Sequence, residues 1–509
     1  MAHTQDLFML IHSLDKNEKG YFRKFSSGHG KGRERAYLKL FTFLARQEQY
    51  DEKKVRAHFR DERFTRQLAV AQDYLFNQIL KSLESYHQGV DAGLCSQLHR
   101  ISILFEKGLY DTCLRMVQRA QRTAEKYERH HYLLELLNWE VELARARSYA
   151  GLAEAEMKRL FSKISSVTET SSRINTHSAL VSSLFMKEVK GGFARSRSGL
   201  EQYEAVIRHP LLRNRRKQGS YQERFYFLLS HMGYHAIRNE FDKAYGFSFR
   251  LVEWIEQHPH QLSERPRAYV SALRNQVTCL GKLKRYREIP AVLEKMKNVR
   301  TRSRALQRNI FYSATILGME TCLHTGDLET GLELVKLSEI QRARLRSEPL
   351  NKLNETILNY NTACLLFCAG RLSSANQYLN RILNDTQIDL RSDIQCFARI
   401  LRLLVHFEMG NDDLLPYLLR STYRYLLKRN SLYRFEALVL DFIRKKLPAT
   451  TTRKELLAAF AGLKAGLDKL AKDPFEQTAL EYFDLISWLE SKVSGKGLMQ
   501  VIREKQAPG

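Results

Sequence analysis

The sequence is short of residues that break or bend a chain. In 509 residues there are nine prolines and twenty-five glycines, too few for long linkers between separate globular domains. Hydrophobic stretches are also short, and none reaches the roughly 18 uncharged apolar residues that a bilayer-spanning helix requires. Met1 to Leu14 carries His3, Asp6 and His12 and lacks the basic start and unbroken apolar core of a signal peptide, so the expected location is the cytoplasm. Seven cysteines are too few, too scattered and too odd in number for a disulfide framework, and each sits inside an apolar helical pattern. Cys364 and Cys368 lie one helical turn apart, but no second pair supplies the four ligands of a structural zinc site.

Negative charge is scarce as well. The 82 Lys and Arg residues outnumber the 56 Asp and Glu residues, a formal charge of +26. Such a surface attracts polyanions, whether nucleic acid, an anionic membrane surface or an acidic protein. Convincing alternation of the kind a strand needs is absent, and apolar residues recur instead at spacings of three and four, as in Leu379, Ile382 and Leu383.

What is present is a recurring hinge. Gly108-Leu109-Tyr110 with Cys113, Asn239-Glu240-Phe241 with Ala244, Gly326-Asp327-Leu328 with Gly331, and Gly370-Arg371-Leu372 with Ala375 each join a turn residue, a large apolar residue and a small one. Lys284-Arg285-Tyr286 with Ile289 is a degenerate copy, and Gly410-Asn411 follows. From Asn239 the hinges fall about 45, 42, 44 and 40 residues apart, the signature of stacked helix pairs. Gly151 and Gly191-Gly192 continue the spacing in the weaker stretch between Gly108 and Asn239. The expected fold is all-α, a right-handed α-solenoid of antiparallel helix pairs.

Three regions are expected: an N-terminal helical module over 1–90, the repeat array over 91–447 and a C-terminal helical cap over 448–509. In the first, Asp15 to Glu18 and Asp51 are placed to cap helices, and Asp51 to Leu83 could form a helix-turn-helix. In the last, Pro448, Thr450 to Thr452 and Asp473-Pro474 mark helix starts. A solenoid needs such a terminal cover for its last apolar face.

The unit Tyr360 to Leu379 resembles a tetratricopeptide repeat, with Ala363, Gly370, Leu372 and Ala375 in the small, hinge, plug and small positions. The spacing here exceeds the roughly 34 residues of the standard repeat, so longer helices are implied. Leu10 to Leu14 running to Glu18 to Phe22, together with Leu75 to Leu83, is similar to the start of a family of uncharacterised bacterial proteins with helical repeats. That likeness implies no activity.

Candidate sites follow from position and charge. Asn275 and Asn361 each stand nine residues before a hinge, on the first helix of a pair. In repeats of this type that helix lines the concave groove, where an asparagine can hold a peptide backbone through donor and acceptor together, and Arg274 adjoins the first. Basic runs are candidates for polyanion binding: Lys284, Arg285, Arg287, Arg300, Arg302 and Arg304; Arg213, Arg215 and Arg216; and Arg420, Arg424 and Lys428, the last set beside Tyr417, Tyr423 and Tyr425. Cations interleaved with aromatic rings suit single-stranded nucleic acid, whose phosphates meet charge while its bases stack.

The glycine-rich Ser27 to Gly32 lacks phosphate-loop spacing and reads as an interhelical loop. His130-His131 and His258-Pro259-His260 have no ligand partners at metal spacing. Catalytic motifs are absent, and no cofactor is expected. The leading expectation is a non-catalytic protein that binds a peptide or protein partner in its groove; the alternative is a nucleic-acid-associated regulator that uses the basic surface.

Overall fold

A computed structural model describes residues 2–27, 33–191, 201, 203, 204, 206–213, 219–344, 351–385, 391–429, 431–446 and 452–506. Among these there is no strand, and helices pack mainly on their neighbours in sequence. The glycine-rich stretch at 28–32, Gly192, Arg215, Arg216, Leu447 and Pro448 lie outside the described residues.

The chain divides into two compact units, one built on Met1–Ser172 and one on Arg173–Thr301, Ala305–Arg344 and Leu350–Gly509, while Arg302–Arg304 groups with the first. The first unit holds α1 (Ala2–Ser13), α2 (Lys16–Ser27), α3 (Arg33–Leu44), α4 (Glu52–His58), α5 (Leu68–Tyr86), α6 (Val90–Glu106), α7 (Tyr110–Lys126), α8 (His130–Ala146) and the start of α9 (Glu154–Gly191). It has two apolar cores, one from Leu7 to Ile79 and one from Leu94 to Leu143. The expected caps are in place: Asp15 and Glu18 accept from each other's backbone amides at 2.7 Å, and Asp51 accepts from Lys54 N at 3.1 Å. The expected break near Gly151 is there, but α9 then runs unbroken for 38 residues. It contains neither proline nor glycine before its last residue, so nothing in it interrupts the hydrogen-bond ladder.

The second unit continues with α10 (Tyr221–Ile237), α11 (Phe241–Glu256), α12 (Pro266–Lys282), α13 (Ile289–Lys297), α14 (Arg304–Thr325), α15 (Leu328–Arg344), α16 (Lys352–Cys368), α17 (Leu372–Leu383), α18 (Ser392–Glu408) and α19 (Leu415–Lys428). Then follow α20 (Arg434–Asp441), α21 (Arg453–Leu470), α22 (Leu485–Ser494) and α23 (Leu498–Gln506), with short helical turns at Pro210–Arg213, Pro259–Glu264 and Pro474–Gln477. Thr452 and Glu455 form the capping box of α21. The C-terminal helices share one apolar core with α14 to α20: Phe460, Leu467, Trp488 and Ile502 belong to the same cluster as Tyr360, Phe397 and Leu426.

All six predicted hinges adopt the left-handed conformation, with φ of +71° at Gly108, +60° at Asn239, +57° at Lys284, +78° at Gly326, +70° at Gly370 and +70° at Gly410. The amide of the following residue turns back onto the helix it ends, as in Leu109 N to Leu104 O at 3.0 Å, Arg285 N to Leu280 O at 2.9 Å and Arg371 N to Leu366 O at 2.9 Å. This closure satisfies carbonyls that a helix end leaves free. The small residue after the hinge is buried in each case: Cys113, Ala244 and Ala375 are fully covered, and a Cβ on Gly331 would come 2.6 Å from Leu365 Cδ2 of α16.

Gly326 is doubly constrained. Besides its left-handed φ, an added Cβ would lie 2.5 Å from the carbonyl oxygen of Met499 in α23, whereas Gly370 has open space around it. Gly370→Ala is expected to cost about 1–2 kcal/mol from conformation alone, and Gly326→Ala about 1–3 kcal/mol more from the forced displacement of α23. Urea denaturation midpoints of the two variants check this; equal midpoints would show that α23 gives way freely.

Candidate functional site

The first helices of three successive pairs turn one face each toward a cavity of about 480 Å³ within the second unit. On α12 that face is Ser271, Arg274, Asn275, Thr278 and Lys282; on α14 it is Ser313, Leu317, Glu320, Thr321 and His324; on α16 it is Asn354, Ile357, Asn361, Cys364 and Cys368. These spacings of three, four, seven and eleven are helical stripes. Met232 and Gly233 of α10 and Phe241 of α11 close one end. The predicted trio Arg274, Asn275 and Asn361 is therefore brought together around one space.

The remaining wall comes from the C-terminal part of the chain, Leu480 to Asp484 with Leu498 and Ile502. Lys282 Nζ meets Glu481 Oε2 at 2.8 Å, and the Lys282 side chain is only 13% exposed. Burial would raise the Glu481 carboxyl, but Lys282, His324 and Lys284 hold it below the ordinary carboxylate range. The Tyr482 hydroxyl donates to Asp393 Oδ2, and the Tyr482 ring stacks on Phe397 with centroids 4.2 Å apart. Asp393 also takes the Arg391 guanidinium, Nη2 to Oδ2 at 2.8 Å. Burial opposes its ionisation, yet Arg391 and the Tyr482 hydroxyl keep its carboxyl below the usual value. Phe483 sits edge-on to Phe367 at 5.5 Å.

The lining amides differ in their commitments. Asn361 Nδ2 donates to Ile316 O at 3.5 Å and to Glu320 Oε1 at 3.3 Å, bracing α16 on α14. Asn275 is half-buried and Asn354 buried, and neither makes a hydrogen bond among the described residues. The buried Tyr360 hydroxyl has no oxygen or nitrogen partner and lies beside the Cys364 thiol. Asn354 and Tyr360 were not singled out from sequence. The signal for Asn354 was available, since it stands seven residues before Asn361, two turns along the same face.

No protein-family model, curated protein or solved structure matches this chain.

Chemically, the cavity holds amides, hydroxyls and neutral thiols beside charged groups such as Arg274, Glu320 and the Lys282–Glu481 pair. Burial pushes Cys368 up to about 12 and Cys364 well above its ordinary value, so both stay protonated at neutral pH. Among the described residues no three His, Cys, Asp or Glu side chains converge on a metal position. Tyr286, whose ring stacks on His324, is raised to about 12 by burial and by Glu481 and Asp484.

The basic candidates scatter. Arg285 is paired with Glu288 at 2.6 Å and lies over the Tyr245 ring, and the neighbouring Lys295 pairs with Glu256 at 2.9 Å. Lys284 is the left-handed residue of that hinge and Arg287 follows it, whereas Arg302 and Arg304 group with the other compact unit and Arg300 does not. Arg213 ends a short helical turn. Arg420, Arg424 and Lys428 lie together on the exposed face of α19.

Two outcomes are expected. Because Asp393 titrates below its ordinary value in the folded state, its contribution is full above the normal carboxylate range and is lost as pH falls through the lowered folded value. Asp393→Asn, which leaves the Arg391 charge buried without its partner, should cost about 3 kcal/mol near neutral pH. That deficit should shrink on acidification, as urea melts of both proteins at several pH values will reveal. In thiol labelling of the folded chain, exposed Cys95 should react rapidly and the buried Cys113, Cys279, Cys322, Cys364 and Cys396 slowly; fast labelling of Cys364 would contradict the closed wall.

Proposed function

We propose that this chain is a non-catalytic interaction protein that holds a peptide segment of a protein partner in the cavity lined by α12, α14 and α16. The reading takes the second unit as an array of tetratricopeptide-like antiparallel helix pairs in a right-handed solenoid, whose first helices face inward. The observation that carries it is the pair of lining amides, Asn275 and Asn354, that make no hydrogen bond within the described chain although they line a deep cavity. Neither amide is committed to another side chain or to the backbone of the described residues, and an extended peptide offers each one both a carbonyl and an N–H. Protonated thiols and bonded carboxylates give the lining the character of a binding surface rather than a reacting one.

The volume falls within the roughly 300–1,000 Å³ that accommodates a small ligand or short segment. Because Leu480 to Asp484 walls one side, the occupant is a short stretch or chain terminus rather than a long helix laid through an open groove. Arg274 in the lining supports an occupant with a carbonyl or carboxylate end. The expected setting is the cytoplasm.

The test is affinity capture from the native host with the wild type, the double variant Asn275→Ala/Asn354→Ala, and Asn361→Ala. The wild type should retain one stoichiometric protein partner that survives high salt. The double variant should lose it without a fall in melting temperature, whereas Asn361→Ala should lose about 1–2 kcal/mol of stability by freeing its buried partners. Undiminished capture by the double variant would overturn the groove reading.

A further inference from the structure

A second site stands on the α18–α19 pair, on residues that do not line the cavity. Gln395, Arg399, Arg402 and His406 share one face of α18 at spacings of four, three and four. Arg399 lies over the Tyr425 ring of α19 at 3.5 Å, and Arg429 faces the same ring at 5.8 Å. Arg399 donates to the Gln395 backbone and side-chain oxygens at 2.9 Å, not to a carboxylate. Arg402 is half-buried with its Nε unpartnered, and beside it His406, 5% exposed, has an unpartnered Nε2. Burial lowers both arginines from their ordinary value, Arg399 further through Arg402 and Arg429. Arg399 and Arg402, this close and with no ion pair among the described residues, form a standing positive site.

Next to them, α19 turns outward a stripe of Tyr417, Arg420, Arg424 and Lys428. Arg424 and Lys428 make no ion pair among the described residues, and Arg420 bonds only the Pro416 carbonyl, at 3.3 Å. Tyr417 is 67% exposed and close enough to Arg402 to interact electrostatically. The carboxylates nearest in sequence, Asp412 and Asp413, lie in the hinge before α19. The basic run around Lys284 is different, since Arg285, Lys295 and Lys282 there are already matched by Glu288, Glu256 and Glu481.

We propose that this face binds single-stranded polynucleotide, with Arg402, Arg424 and Lys428 on successive phosphates and the exposed Tyr417 ring as a platform for a base. Unanswered cations alone would take any polyanion. The bare aromatic ring among them favours a ligand that carries flat faces as well as phosphates, and single strands present both. Duplexes hide their bases, and lipid head groups have none.

The experiment is fluorescence polarisation of the full chain with labelled oligothymidylate and oligouridylate of about 12 nucleotides, a length suited to a compact single-strand site. Binding is expected at low salt and should weaken by about tenfold or more between roughly 50 and 200 mM salt. Arg402→Ala/Arg424→Ala should weaken it by about tenfold, and Tyr417→Ala by about fivefold while Tyr417→Phe retains it. The charge-matched control Lys158→Ala/Lys163→Ala, on α9, should change it little. The proposal is overturned by absence of binding at low salt, by equal loss in the control, by indifference to Tyr417→Ala, or by tighter binding of a duplex, a phosphopeptide or phosphatidylserine vesicles. RNA and DNA arms together identify which single strand is preferred. Failure here leaves the groove reading untouched, because none of the altered residues lines the cavity.

Discussion

Helix after helix is ended by one residue in the left-handed conformation, and the rest of the second unit depends on that closure. The turned-back amide fixes where a helix stops, and the large residue that follows is half-buried while the small one three positions later is covered. Helices can therefore approach as closely as Gly331 and Leu365 do, and their stripes of polar residues come into line. The cavity is a by-product of that alignment: asparagines two repeats apart line one space because the hinges keep the phase. Glycine makes the conformation inexpensive, while Asn239 and Lys284 hold it against a steric penalty that burial of Ala244 and Ile289 offsets.

The C-terminal part of the chain has a larger role than that of a lid on the last repeat. Its segment 480–484 runs against α12, α16 and α18 through an ion pair, a tyrosine–aspartate hydrogen bond and two ring contacts. Charge and aromatic packing act together there, because loss of either carboxylate would leave the Arg391 or the Lys282 charge without its partner. The shape and polarity of the cavity thus depend on residues some two hundred positions from Lys282.

How much of this could be read from sequence follows the range of the interaction involved. Hinges at Gly108, Gly326, Gly370 and Gly410 were legible because glycine is the usual residue for a positive φ. Asn239 and Lys284 were legible only through the period. In the first unit the chain also turns through left-handed Glu128, Ser148 and Tyr149, which carry neither glycine nor a regular spacing, so these turns escaped notice. Of the cavity residues, Asn275 and Asn361 could be found because they recur in register with a hinge, whereas Lys282 with Glu481 and Tyr482 with Asp393 could not, since no local pattern links them. Basic runs were visible as composition, but composition does not distinguish Arg285, held by Glu288, from Arg402, which makes no ion pair among the described residues.

Gly326 connects these themes, for its carbonyl accepts from Arg503 Nη2 at 3.1 Å across 177 residues. During synthesis, which adds about 5–20 residues each second, the hinge is made long before the helix that rests on it. For that interval the inward faces of α12, α14 and α16 stand open along one side. Leu498 and Ile502 are then still missing from the wall, so the cavity takes its final shape only when the chain is nearly complete.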